Sequence, residues 1–151
     1  MKLTSSAFSQ GGKIPRIYTC QGKNINPPLE IADIPTQAKA LVLIMDDPDV
    51  PPSVRPDRMY DHWIVFNIPP NVRHIKEHST PPGVFGKSTN GENKYVGPCP
   101  PDREHRYFFK LYALDKILSL QSGASKKEVE AAIKGHILEE TELMGRYEKT
   151  E

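Results

Sequence analysis

Two groups of residues in this chain have types and spacing suited to chemistry. Asp46-Asp47-Pro48-Asp49 sets three carboxylates within four positions, and His62 and His105 each stand near the start of a β-prone segment. Imidazoles next to carboxylates can hold an anion or move a proton. An imidazole can donate to a phosphate oxygen, and a neighbouring carboxylate stabilises its charged form. Asp47 and Asp49 lie two apart, so an extended chain points both side chains into one cavity; a solvated Asp-Pro turn explains the same residues. Tyr107 follows His105 by two positions and adds a neutral hydroxyl donor on the same strand face. Both imidazoles are expected to donate to the anion, with at least one carboxylate orienting a histidine.

Two other chemistries fit the same residues. An Asp general base with His105 as general acid would suit a hydrolase, and Cys99, six residues before His105, is the one candidate nucleophile. No serine or cysteine nucleophile motif and no glycine-rich phosphate cradle accompanies them, and no cofactor motif is read. Asp47, Asp49, His62 and His105 would also make an oxygen and nitrogen ligand set for zinc or manganese. Cys99 equally fits a small buried filler.

The elements that must position these groups are mostly strands. Ala40-Leu-Val-Leu-Ile-Met45 is a continuous apolar run, as a strand buried on both faces requires. Arg58 to Ile68 forms a second strand, with His62, Ile64 and Phe66 on one face and Asp61, Trp63 and Val65 on the other. Arg106 to Leu114 forms a third, with His105, Tyr107, Phe109, Leu111 and Ala113 sharing a face. Pro98, Pro100 and Pro101 stiffen the loop that delivers His105. The long Pro- and Gly-rich segment from Pro69 to Pro101 reads as an ordered loop folded over a site, with His74 and His78 solvated. Met1 to Phe8 and Ile14 to Cys20 read as short strands, and Pro27 to Ile31 as extended chain. Ser125-Lys-Lys-Glu128 is a capping box opening an amphipathic helix of about four turns through Ile137, with His136 on its buried edge. Thr141 to Tyr147 reads as a final strand.

Composition sets the outer bounds. At 151 residues the chain reads as one domain, 1–151, with a substantial core. Its 20 Lys plus Arg against 19 Asp plus Glu give no field for nucleic acid or an anionic membrane surface, so any anion site is local. No apolar run approaches the ~20 residues of a membrane span, and the N-terminal residues lack a secretory h-region. The expectation is therefore a cytoplasmic protein without stable membrane insertion. Cys20 and Cys99 are expected to be thiols in a reducing compartment. Many short strands with one late helix argue for a mainly β fold, an antiparallel β-sandwich with a C-terminal α-helix packed on it.

Asp47-Pro48-Asp49-Val50-Pro51, His62-Trp63 and Gly97-Pro98-Cys99-Pro100-Pro101 with His105-Arg106-Tyr107 resemble the phosphatidylethanolamine-binding protein family. The Ser125 to Tyr147 ending resembles its bacterial and archaeal, Raf-kinase-inhibitor-like branch, and the likeness covers nearly the whole chain. The resemblance implies a small anion-binding cavity at one end of a β-sandwich, lined by Asp47, Asp49, His62, Pro100, His105 and Tyr107. It further implies a binding or regulatory module for a small phosphorylated or carboxylate ligand, a regulated protein partner, and a homodimer.

Overall fold

The computed structural model describes residues 1–150. Eight strands form two antiparallel sheets. The smaller has the order β1 (Lys2–Thr4), β2 (Leu29–Ala32), β5 (His74–Ile75). The larger has the order β6 (Val84–Phe85), β4 (Tyr60–Ile68), β3 (Ala40–Asp47), β7 (His105–Leu114), β8 (Ile137–Tyr147).

The apolar run at Ala40 becomes the central strand because both of its faces are covered. Leu41, Leu43 and Met45 join Leu3, Leu29 and Ile31 of the small sheet in one core, together with Trp63, Val65, Tyr107 and Phe109. Val42 and Ile44 face the other way, onto Ile64, Phe66 and the helix residues Val129 and Ile133. Every residue of β3 is buried, its last two being aspartates. Between sheet and helix, Asp46 is held by Lys110 and Lys126, each at 3.1 Å.

The helix α1 (Lys126–Ile133) starts where its capping box places it. The Glu128 N–H donates to Ser125 Oγ at 3.2 Å, and the Ser125 N–H donates to Glu128 Oε1 at 3.1 Å. It runs about two turns where the sequence suggested four. Gly135, at φ +82°, takes the left-handed conformation that ends a helix cheaply, and the chain passes straight into β8. His136 consequently leaves the helix face, stays part exposed and lies 2.9 Å from Asp115. Ile14 to Cys20 is likewise no strand. Pro15 presets the turn, the Tyr18 N–H donates to its carbonyl, and Arg16–Tyr18 forms a single 3-10 turn.

The expected free thiols are corrected as well: Cys20 and Cys99 form a disulfide, with their Cα atoms 5.5 Å apart. The Cys20 N–H donates to Pro98 O, Tyr95 Oη donates to Tyr18 O, and the Gly97 N–H donates to Asn24 Oδ1. These bonds stitch the 3-10 segment to the Pro-rich loop and bring the cysteines into bridging range. Gly97 is required for that approach, since a Cβ there would lie 2.4 Å from the Tyr18 carbonyl oxygen.

Candidate functional site

A cavity of about 320 Å³ opens at the end of the sandwich where β3 leaves the sheet and β7 enters it. Asp47, His62, His105 and Tyr107 face it, while Val50, Val54, Val96, Pro100 and Pro101 give it largely apolar walls beside Cys99.

His62 reaches the cavity through an irregularity in β4. Met45 pairs with Trp63 but Asp46 pairs with Asp61, so one extra residue, His62, is accommodated between them. Such a bulge turns the inserted side chain out of strict alternation. Asp61 and Ile64 then face the helix side, where Asp61 meets Lys126, whereas His62 joins Trp63 on the opposite face. The alternation read from sequence put His62 with Ile64 and Phe66; the bulge overrides it.

The Val96 N–H donates to the His62 carbonyl at 3.0 Å, and His62 Nδ1 lies 2.6 Å from the Val96 carbonyl oxygen. A carbonyl only accepts, so the ring proton sits on Nδ1. Nε2 is buried with no partner. Burial, working against the Val96 bond, pushes the His62 pKa down to about 4. The ring packs between Tyr60 and Tyr107, at centroid distances of 4.7 and 5.3 Å. The Tyr107 hydroxyl is buried and makes no hydrogen bond of ordinary geometry; burial first, then the charge of the Asp47 carboxylate and a loose contact with it, raise its pKa.

His105 is engaged on both sides. Its Nδ1 lies 2.6 Å from Asp47 Oδ2 and its Nε2 lies 2.7 Å from Asp102 Oδ1, and each of these contacts needs a proton between its partners. Burial raises the Asp47 pKa against the lowering effect of His105, and the bond to His105 lowers that of Asp102. The second Asp47 oxygen accepts the Asp49 N–H at 2.7 Å. The expectation that both imidazoles donate freely is therefore corrected: His62 presents a lone pair and His105 has no free nitrogen.

Asp49 does not join Asp47 in the cavity. It accepts the Arg106 N–H at 2.8 Å and the guanidinium at 2.8 and 2.9 Å, and the Arg106 bond holds its carboxyl below the usual range. The structure thus brings Asp47, His62, Pro100, His105 and Tyr107 around one cavity and turns Asp49 to the rim. Sequence reasoning missed Tyr60, whose spacing from His62 was a usable signal, and the parts played by Asp102, Val96 and Arg106, which depend on loop geometry. Cys99 lies in the disulfide and offers no nucleophile. Among the described residues no group of three or more His, Cys, Asp or Glu side chains is arranged to hold a metal ion, and no helix is long and apolar enough to cross a membrane.

Two packed antiparallel sheets with one late helix and an Asp-His-Tyr cavity at one end place the chain in the β-sandwich class of fold. The chain belongs to the phosphatidylethanolamine-binding protein family, whose model matches residues 4–148. A UPF0098 protein of Chlamydia trachomatis is 52% identical over 149 residues, 99% of each chain. A UPF0098 protein of Methanothermobacter thermautotrophicus is 46% identical over 155 residues, again covering 99% of each. Among solved structures, a phosphatidylethanolamine-binding protein homologue from Chlamydia trachomatis superposes with a TM-score of 0.96, covering 98% of this chain and 97% of that one at 52% identity. YbcL of Escherichia coli superposes with a TM-score of 0.88 at 26% identity, covering 99% and 98%.

Proposed function

We propose that the cavity binds a small anion, a phosphate or phosphorylated headgroup or a carboxylate, and that the protein is a binding or regulatory module rather than a catalyst. One observation carries this. The His62 Nε2 and Tyr107 Oη atoms are buried polar groups that make no hydrogen bond of ordinary geometry within the protein, set against the same cavity. Leaving such an atom unmet costs about 1–3 kcal/mol, which a ligand's own polar atoms recover. The rest of the constellation holds these two in place. Asp47 and His105 brace the floor, Pro100 stiffens a wall, and Asp49 fixes the rim through Arg106.

Family membership supports the reading, since the Chlamydia trachomatis protein is described as a homologue of a phosphatidylethanolamine-binding protein. The wider proposal keeps a regulated protein partner and a homodimer pairing through an exposed strand edge. It also keeps a cytoplasmic location, where the exposed Cys20–Cys99 bond would be open to reduction. The test is calorimetric titration of phosphoethanolamine into the protein. A saturable heat is expected, weakened about tenfold in Tyr107→Phe, which removes one neutral hydrogen bond of about 1.4 kcal/mol. No saturable binding by the wild type would overturn the reading.

A further inference from the structure

The Cys20–Cys99 bond does more than staple the chain, because Cys99 is also part of the cavity wall. Its partner is a fixed post. Around Cys20 the Thr19 N–H and hydroxyl both donate to Arg16 O, the Gly22 N–H donates to Thr19 O, and Gln21 accepts the Tyr147 hydroxyl. Thr19 is fully buried, and a Cβ at Gly22 would lie 2.3 Å from the Arg16 carbonyl oxygen, so this turn is packed too tightly to yield.

The wall opposite is held differently. Its near end is tied at Pro98 O, which accepts the Cys20 N–H at 3.1 Å, and its far end at Asp102 Oδ1, 2.7 Å from His105 Nε2. Between those ties, among the described residues, Cys99, Pro100 and Pro101 lie outside every strand and make no hydrogen bond. Pro100 and Pro101 have no N–H to offer. The disulfide is thus the one specific bond that fixes this stretch, and both of its cysteines are exposed to a thiolate in solvent.

We propose that the Cys20–Cys99 disulfide is a redox latch on the cavity: oxidised, it clamps the Cys99–Pro101 wall against the turn at Cys20, and reduced by a dithiol, it lets that wall swing out. One thiolate of the dithiol attacks a sulfur of the bond, and the other protein sulfur leaves as a thiolate and takes up a proton. The dithiol's second thiol then displaces the mixed disulfide, so two protein thiols form and the dithiol ends as its own disulfide. The prolines make this release effective. With φ fixed, Pro100 and Pro101 move as a stiff unit about Cys99 and Asp102, so freeing one sulfur displaces a whole side of the cavity. A ligand entering the reduced protein must order the Cys99 backbone again, which costs about tenfold in affinity. The hydrogen bonds made by Tyr95, Gly97 and the Cys20 N–H do not depend on sulfur and confine the change to the wall. The consequence for binding rests on the anion-binding reading above; the latch itself does not.

The test compares the oxidised protein, the protein in excess dithiothreitol, and Cys20→Ser/Cys99→Ser, all well below their melting temperatures. Backbone nitrogen relaxation by NMR should give order parameters of about 0.85 at position 99 and Asp102 in the oxidised protein and below about 0.6 in the other two. Leu43 and Phe109 in the central sheet should stay at about 0.85 throughout. Calorimetric titration with phosphoethanolamine should show about tenfold weaker binding in the reduced protein and the double variant, and oxidised glutathione should restore the reduced wild type. Order parameters that do not change on reduction, or an affinity within about threefold of the oxidised value, would overturn the latch. If phosphoethanolamine binds neither form, the anion reading falls and the relaxation measurement alone decides the latch. The wild-type comparison stands by itself even if the double variant does not fold.

Discussion

Opening the Cys20–Cys99 disulfide should lower stability substantially without dismantling the fold. The bond closes a loop of 79 residues in sequence separation. Cross-linking a loop of that length removes chain entropy from the unfolded state equivalent to about 4.5 kcal/mol. For a chain of this size each kcal/mol moves Tm by roughly 2–4 °C, so the double variant Cys20→Ser/Cys99→Ser should melt roughly 9–18 °C lower. The native arrangement should survive, because the Cys20–Pro98, Tyr95–Tyr18 and Gly97–Asn24 hydrogen bonds hold the two segments together independently of sulfur. Both cysteines are exposed, so a dithiol reductant should reach the bond and produce the same drop in the wild type. The assay is a thermal melt with and without reductant, paired with thiol titration of the unfolded, non-reduced protein. No titratable thiol is expected. Two thiols, or a Tm difference under about 2 °C, would refute the reasoning.

Two of the remaining predictions rest on the geometry and one, the dimer, on the family resemblance. His62 has a folded pKa of about 4 against an ordinary 6.5, so the unfolded chain binds its proton first; stability from this ring is complete above 6.5 and is lost as pH falls towards 4. The loss amounts to about 3 kcal/mol, and urea unfolding of His62→Gln against wild type in phosphate-free buffer should show the difference curve falling across that window. The raised Asp47 pKa acts in the opposite sense, adding stability as pH falls through its folded value, and cancels in the difference. Ser125→Ala should cost about 1 kcal/mol through loss of the N-cap bond, and an unchanged melting temperature would mean that the cap contributes nothing. Light scattering should return a dimer mass at micromolar protein, and a monomer mass would dispose of strand-edge pairing.

Periodicity was informative wherever the chain kept strict register. The alternation of Arg106 to Leu114 gave the buried face of β7, with His105, Tyr107, Phe109, Leu111 and Ala113 inward, and the unbroken run Ala40 to Met45 gave the doubly covered central strand. It failed where one residue broke register. His62 looked like a member of the Ile64 and Phe66 face, and only its pairing partners reveal the bulge that turns it to the cavity. The disulfide was illegible for a different reason: Cys20 and Cys99 are far apart in sequence, and the hydrogen bonds that juxtapose them come from loops without periodicity. Apolar spacing continues through Ile137 and so suggests a longer helix, whereas the stop is written in the single residue Gly135. The spacing of Asp49 from Asp47 points it into the cavity, but Arg106 draws it to the rim.

If the cavity floor, formed by His62 Nε2 and Tyr107 Oη, receives the phosphoryl group, a crystal structure of the protein grown with saturating phenyl phosphate will show phosphoryl oxygens at about 2.6–3.0 Å from both atoms, with the Asp47–His105–Asp102 chain undisturbed. A phosphoryl group seated on His105 Nε2 with Asp102 displaced, or a cavity free of ligand at saturation, would contradict it.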